Sequence, residues 1–149
     1  MKFIEKSYER SNAWGISLAS EHIKSHGWLI TRDDENYDID IEAKRHDKIL
    51  HLEVEAKSNY PWTCQEDYPF DSVSFLFRKK KYTSDFWYMI ICRETEAYAL
   101  CHSTVIFNYK YFDRVDLKKY ERKGKDNFYR VPKDLCSFGQ IIRDNSLSS

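Results

Sequence analysis

The stretch that most constrains the fold runs from residue 37 to residue 57 and reads YDIDIEAKRHDKILHLEVEAK. Apolar and charged residues alternate over residues 37–44 and again over residues 49–57, and a polar turn at residues 45–48 separates the two runs. A period of two over such a length is typical of a strand with one buried face. The sequence therefore predicts a β-hairpin whose two apolar faces turn to the same core.

The other face of this hairpin carries more acidic than basic side chains. Its acidic members are Asp38, Asp40, Glu42, Glu53 and Glu55, and its lysines are Lys44 and Lys57. Like charges held side by side repel, so the row lowers the stability of the fold unless cations neutralise it. A solvent-exposed face with salt bridges across the strands is the alternative interpretation of the same pattern.

Length and composition indicate the class of protein. The chain has 149 residues, of which 42% are hydrophobic, with four glycines and three prolines. These values predict one globular domain over residues 1–149. No long apolar run is present and the first residues are polar, so we expect no membrane span, no signal peptide and a cytoplasmic location. The four cysteines lack metal-binding spacing, and we expect free thiols.

The segments around the hairpin predict further helices and strands. An apolar stripe at spacings of three and four predicts a helix over residues 6–26, and Gly27 is placed to end it. Apolar and alternating runs predict strands at residues 28–30, 71–77, 86–92, 96–101 and 128–131, and residues 132–142 a closing turn and helix. The predicted fold class is α+β, or mixed α/β, with a single central sheet and an N-terminal helix.

Asp40, Glu55 and Lys57 form the group with the clearest chemistry. Two carboxylates on adjacent strands, in a group that contains no cysteine or histidine, suit a hard divalent cation such as Mg²⁺. Lys57 shares a strand face with Glu55 and lies within reach of a metal held there. A metal lowers the pKa of a bound water and an ammonium stabilises charge on phosphate, which together would suit hydrolysis of a phosphodiester.

The order of a helix, an Asp on one strand and Glu-x-Lys on the next resembles the PD-(D/E)XK nuclease superfamily, which includes restriction endonucleases and Holliday junction resolvases. The matching residues are Asp40 and Glu55-Ala56-Lys57. The resemblance implies a restriction-endonuclease-like core and a nuclease that uses Mg²⁺ or Mn²⁺. It implies Asp40, Glu55 and the Ala56 carbonyl as metal ligands, and Lys57 near the attacking water. A glutamate of the first helix, Glu9 or Glu21, is implied as a further ligand.

The sequence departs from the pattern of this superfamily in one position and leaves two ligands open, the glutamate of the helix and the aspartate of the first strand. Ile39 stands where a proline often precedes the Asp. Asp38 is an alternative to Asp40, because a symmetric turn pairs Asp38 with Glu55 and Asp40 with Glu53. Glu-x-Lys by itself is a weak signal, since it recurs at residues 42–44 and 121–123.

A basic run follows the strand predicted at residues 71–77. It consists of Arg78, Lys79, Lys80 and Lys81, and it predicts contacts with nucleic-acid phosphates or, alternatively, a solvated strand end. The sequence as a whole predicts a metal-dependent DNA endonuclease, and a homodimer is compatible with cleavage of both strands. The alternative is a catalytically inactive nuclease-like fold that binds nucleic acid or protein.

Overall fold

The computed structural model describes residues 2–33, 39–58, 60–77, 85–109 and 127–143, with only the backbone of residues 2–12, 77, 127 and 128. Its elements in chain order are α1 (Lys2–Ser25), β1 (Leu29–Arg32), β2 (Ile41–Arg45), β3 (Lys48–Lys57), β4 (Ser72–Phe77), β5 (Trp87–Cys92), β6 (Ala97–His102), α2 (Ser103–Ile106), β7 (Asn127–Pro132), a 3₁₀ helix (Lys133–Leu135) and β8 (Ser137–Gln140). The fold is mixed α/β and consists mostly of sheet, as the sequence predicts in outline.

The predicted N-terminal helix is confirmed, and α1 begins four residues earlier than the apolar stripe indicates. It ends before Gly27, whose φ of 87° lies in the left-handed region that favours glycine. Gly15 lies inside the helix and faces the sheet. A Cβ added at Gly15 would lie 3.2 Å from Cγ1 of Val54, so the glycine lets α1 pack close to β3.

The strands form a six-stranded sheet in the order β1-β2-β3-β5-β6-β8 and a two-stranded sheet of β4 and β7. The β3 and β5 strands are parallel, whereas the other paired strands are antiparallel. The predicted hairpin is confirmed in its register, which pairs Ile41 with Leu52 and Arg45 with Lys48. His46 has a φ of 57° in the turn between β2 and β3.

The two faces of the six-stranded sheet pack against different layers. On one face α1 covers a core that includes Ile16, Ala19, Ile23, Ile41, Leu52, Val54 and Ile91. On the other face the two-stranded sheet, the 60–70 loop and α2 cover a second core, which includes Trp62, Phe75, Phe86, Tyr88, Ile90, Ile106 and Val131. The predicted central strand is confirmed, because consecutive residues of β5 contribute to the two cores in alternation.

Two predictions from the sequence need correction. The strand expected at residues 71–77 forms, but it pairs with β7 in a second sheet instead of joining one central sheet. The helix expected within residues 132–142 is replaced by the 3₁₀ helix and β8, and β8 pairs with β6. Gly139 leaves room for its cross-strand neighbour, because a Cβ at this position would lie 2.5 Å from the hydroxyl oxygen of Tyr98.

Candidate functional site

Asp40 lies one residue before β2, at the point where the backbone pairing of β2 with β3 ends and hydrogen bonds to side chains begin. The Val54 N–H donates to Oδ2 of Asp40 at 2.9 Å, and the Asp40 N–H donates to Oε1 of Glu53 at 3.3 Å. Residues 39 and 40 form a bend, so the prediction that the first strand begins at residue 37 is wrong for these two residues. The bend results because the carboxylate of Asp40 takes a backbone donor of β3.

Glu55 lies in β3, and its half-buried side chain is on the face away from α1. The Tyr88 hydroxyl, on β5, donates to Oε2 of Glu55 at 2.8 Å and lies 3.3 Å from the Leu76 carbonyl. A hydroxyl has one proton, and a carboxylate at the shorter distance is the stronger acceptor. The Phe75 ring packs edge to face on Tyr88 with centroids 5.1 Å apart, so the donor to Glu55 is held by core packing.

Lys57 is the last residue of β3 and lies on the same face as Glu55, two positions further along. Its Nζ donates to the Ser74 carbonyl of β4 at 3.0 Å. The Arg93 N–H donates to the Lys57 carbonyl at 3.0 Å and so fixes the end of the strand. The lysine therefore joins the six-stranded sheet to the second sheet, and its ammonium lies at the boundary between them.

These contacts bring the three residues to one end of β3. The Asp40 carboxylate accepts a hydrogen bond from the backbone N–H of Val54, the residue before Glu55. Lys57 lies two residues after Glu55 on the same face of β3. Carboxylate and carbonyl oxygens are the donors that Mg²⁺ and Mn²⁺ prefer, so Asp40, Glu55 and the Ala56 carbonyl fit such a cation in kind. Within the described ranges, no three side chains of His, Cys, Asp or Glu form a group that could hold a metal ion.

The other predicted site residues lie apart or outside the described part of the chain. Asp38 and Arg78, Lys79, Lys80 and Lys81 lie outside it, so the choice between Asp38 and Asp40 stays a prediction. Glu9 lies in α1, where only the backbone is described. Glu21 lies near the C-terminal end of α1 and interacts electrostatically with Arg143. The α1 helix packs on the face of the sheet opposite to the Glu55 side chain.

Tyr88 and the 60–70 loop are parts of this region that the sequence did not indicate. Tyr88 stands in the continuous apolar run of β5, which hides the alternation between the two faces. The loop is held by Asp67, which accepts the hydroxyl of Thr63 and the N–H groups of Thr63 and Cys64. The Thr63 hydroxyl first, and then these N–H groups, hold the pKa of Asp67 at about 2.

Comparison with known proteins identifies no relative of the chain. No protein-family model, curated protein or solved structure matches it. In the part of the chain that the structure describes, no helix has the length and apolar character needed to cross a membrane. The function must therefore be inferred from the side chains of the site and their chemistry.

Proposed function

We propose that the protein is a metal-dependent DNA endonuclease of the PD-(D/E)XK type, which hydrolyses phosphodiester bonds with Mg²⁺ or Mn²⁺. The observation that carries this proposal is the position of Glu55 and Lys57 on one face at the end of β3, with the Asp40 carboxylate accepting the N–H of the neighbouring Val54. The order of α1, an Asp at the start of β2 and Glu-x-Lys at the end of β3 supports the resemblance to that superfamily. The strand β5 pairs with β3 over residues 52–57, so the part of β3 that carries Glu55 and Lys57 lies inside the sheet and not at its edge.

The residues of the site would divide the work of hydrolysis. Asp40, Glu55 and the Ala56 carbonyl would hold the cation, which when bound supplies a Lewis acid that lowers the pKa of a coordinated water. The Tyr88 hydroxyl keeps the Glu55 carboxylate in one orientation. The Lys57 ammonium would exchange the Ser74 carbonyl for the attacking water or a phosphate oxygen, and its charge would stabilise the negative charge that develops there.

DNA is the proposed substrate, and the phosphate-binding residues, the homodimer and the cytoplasmic location predicted from the sequence belong to the same proposal. The run Arg78, Lys79, Lys80 and Lys81 would neutralise phosphates of the bound strand. A homodimer would bring two sites to opposite strands of a duplex. The four cysteines are free in the structure, which agrees with a location in the reducing cytoplasm.

A specific observation favours a second candidate function, that of an inactive nuclease-like fold that binds nucleic acid or protein. The Glu55 carboxylate is bonded to Tyr88, and the Lys57 ammonium is bonded to the Ser74 carbonyl. Both groups thus contribute to cohesion between strands, a role that needs no metal. In this case Glu55→Gln would leave binding of nucleic acid or protein unchanged.

A plasmid-nicking assay tests the endonuclease proposal. Purified protein is incubated with supercoiled, linear and branched DNA in Mg²⁺, Mn²⁺ or a chelator. We expect metal-dependent nicking, and we expect Asp40→Asn, Glu55→Gln and Lys57→Ala each to lower its rate by roughly 100-fold or more. The first two substitutions alter a proposed metal ligand, and the third removes the positive charge beside the reacting phosphate. Circular dichroism checks that the variants fold.

The chain offers a matched control with the same residue spacing on the neighbouring strand. Glu42 and Lys44 repeat Glu-x-Lys in β2, away from the end of β3. Glu42→Gln and Lys44→Ala should therefore retain nicking. Nicking at the wild-type rate by Glu55→Gln or Lys57→Ala would contradict the assignment, and DNA binding without cleavage in any metal would favour the inactive module.

A further inference from the structure

A cleft of about 790 Å³ opens next to Lys57, between the end of β3, the 60–70 loop and the second sheet. Its volume lies within the range of pockets that enclose small organic ligands, roughly 300–1,000 Å³. Lys57 is the one residue that it shares with the proposed catalytic group. Aromatic residues of the 60–70 loop line one side of the cleft, and residues of the second sheet, among them Arg130, line another.

The cleft has an aromatic wall that runs from its rim to its floor. At the rim, Tyr60 and Phe70 are 59% and 47% exposed, and their rings meet edge to face with centroids 5.2 Å apart. Phe70 contacts Tyr68 at 5.9 Å, and Tyr68 contacts the buried Trp62 at 5.3 Å. Large aromatic surface left in water at the rim of a pocket favours a planar ligand that would cover it.

Cationic and polar groups stand beside this wall. Lys57 comes from β3, and Arg130 of β7 lies opposite Ser74 in the second sheet. Two cations suit a phosphate group, and arginine can bind it through two donors. The Asp71 carboxylate and the hydroxyls of Ser72 and Ser74 offer acceptors and donors for the polar edge of a base.

The wall of the cleft is held in place before any ligand binds. The Thr95 hydroxyl donates to the Trp62 carbonyl at 2.5 Å, and the Gln140 amide donates to the Thr63 carbonyl at 3.1 Å. Burial first, and then the Cys136 thiol and the Glu55 carboxylate, raise the pKa of Tyr68 to about 12. A loop that is already ordered loses little conformational entropy when a ligand binds.

We propose that this cleft binds one unstacked nucleotide of a DNA strand, with its base against Tyr60 and Phe70 and its phosphate at Lys57 and Arg130. The inference rests on the proposed function for the identity of the polymer, and it names the substrate class. An aromatic platform accepts a base only when that base is outside a duplex stack. The preferred substrate is therefore single-stranded or locally unpaired DNA.

Fluorescence anisotropy with a labelled oligothymidylate, in chelator and low salt, tests this inference without catalysis. Tyr60→Ala, Phe70→Ala or both should weaken binding roughly 5- to 150-fold, the range expected for loss of one base–aromatic stack. The two rings meet nearly at right angles, so a single base stacks flat on only one of them. Tyr60→Phe retains the ring and should bind as the wild type does. Phe107→Ala is the matched control, because Phe107 is 43% exposed and does not line the cleft.

The outcomes separate this inference from the endonuclease proposal. Unchanged affinity in both Tyr60→Ala and Phe70→Ala, or equal affinity for a blunt duplex and the single strand, would overturn the nucleotide site even if Glu55-dependent nicking is found. Weakened binding in either variant, together with no cleavage of DNA by the wild-type protein in any metal, would support the nucleotide site and reject the endonuclease proposal.

Discussion

The hydrogen bond between Tyr88 and Glu55 gives the sharpest test of how the fold holds the candidate site. Tyr88→Phe removes only the hydroxyl, whereas the ring keeps its contact with Phe75 at 5.1 Å. The lost bond is 2.8 Å long and has a carboxylate as acceptor. A hydrogen bond to a charged group contributes about 1.5–3 kcal/mol to the free energy of unfolding.

The expected cost of Tyr88→Phe lies at the lower end of this range. Tyr88 is 7% exposed, but Glu55 is only half-buried, so water can replace part of the lost bond. We therefore expect the free energy of unfolding to fall by about 1.5–2 kcal/mol at neutral pH. In a Glu55→Gln background the acceptor is neutral, and the same substitution should cost only about 0.5–1.5 kcal/mol.

Urea denaturation followed by circular dichroism measures these values. Tyr98→Phe is the control, since Tyr98 lies on the adjacent strand β6 and its hydroxyl makes no hydrogen bond to any residue that the structure describes. The reasoning would be refuted if Tyr88→Phe cost no more than Tyr98→Phe, or if its cost were the same in both backgrounds. A supporting result would make Tyr88 a positioning residue for Glu55.

Metal binding, core packing and one histidine give the remaining predictions. Mg²⁺ or Mn²⁺ should raise the melting temperature relative to chelator, because a cation relieves carboxylate repulsion only in the folded state; no shift would contradict a metal site. Phe75→Ala should lower the free energy of unfolding by about 3–5 kcal/mol in urea titrations, because Phe75 is fully buried, and a cost near zero would contradict its place in the core. Burial, and then His26, lower the pKa of His22, whose Nδ1 accepts the Ile142 N–H. The unfolded chain therefore binds the His22 proton more tightly than the folded chain does. The contribution of His22 to the free energy of unfolding is complete above about pH 6.5 and declines at lower pH. Urea midpoints at about pH 7.5 and 5.5 should differ less in His22→Gln than in the wild type, and equal differences would contradict this.

The hairpin could be predicted closely because its signal is local. Residues two apart point to the same face of a strand, so the alternation indicates both the strands and their buried sides. The turn at His46 and Asp47 then sets the register, and Arg45 pairs with Lys48 as a symmetric turn requires. The end of the hairpin could not be predicted in this way, because Asp40 leaves the ladder to accept a backbone donor from Val54.

The segments that cover the sheet were harder to predict. An alternating strand such as β4 shows which of its sides is apolar, but its pairing with β7 depends on residues about 50 to 60 positions away. The same holds for β8, a four-residue strand with a glycine that pairs with β6. Short segments carry weak local preferences, and tertiary contacts decide their conformation.

The sequence by itself determined that residues 41–57 form a hairpin with a buried face and an acidic face, and that Glu55 and Lys57 share the acidic face. These properties follow from the period of two and from the charges of adjacent side chains. The tertiary structure alone decided what meets that acidic face. Tyr88 reaches Glu55 from β5, the Ser74 carbonyl meets Lys57 from β4, and an aromatic cleft opens beside them. These partners lie far apart along the chain. Pairing of β5 with β3 brings Tyr88 to Glu55, and packing of the second sheet on the first brings Ser74 to Lys57.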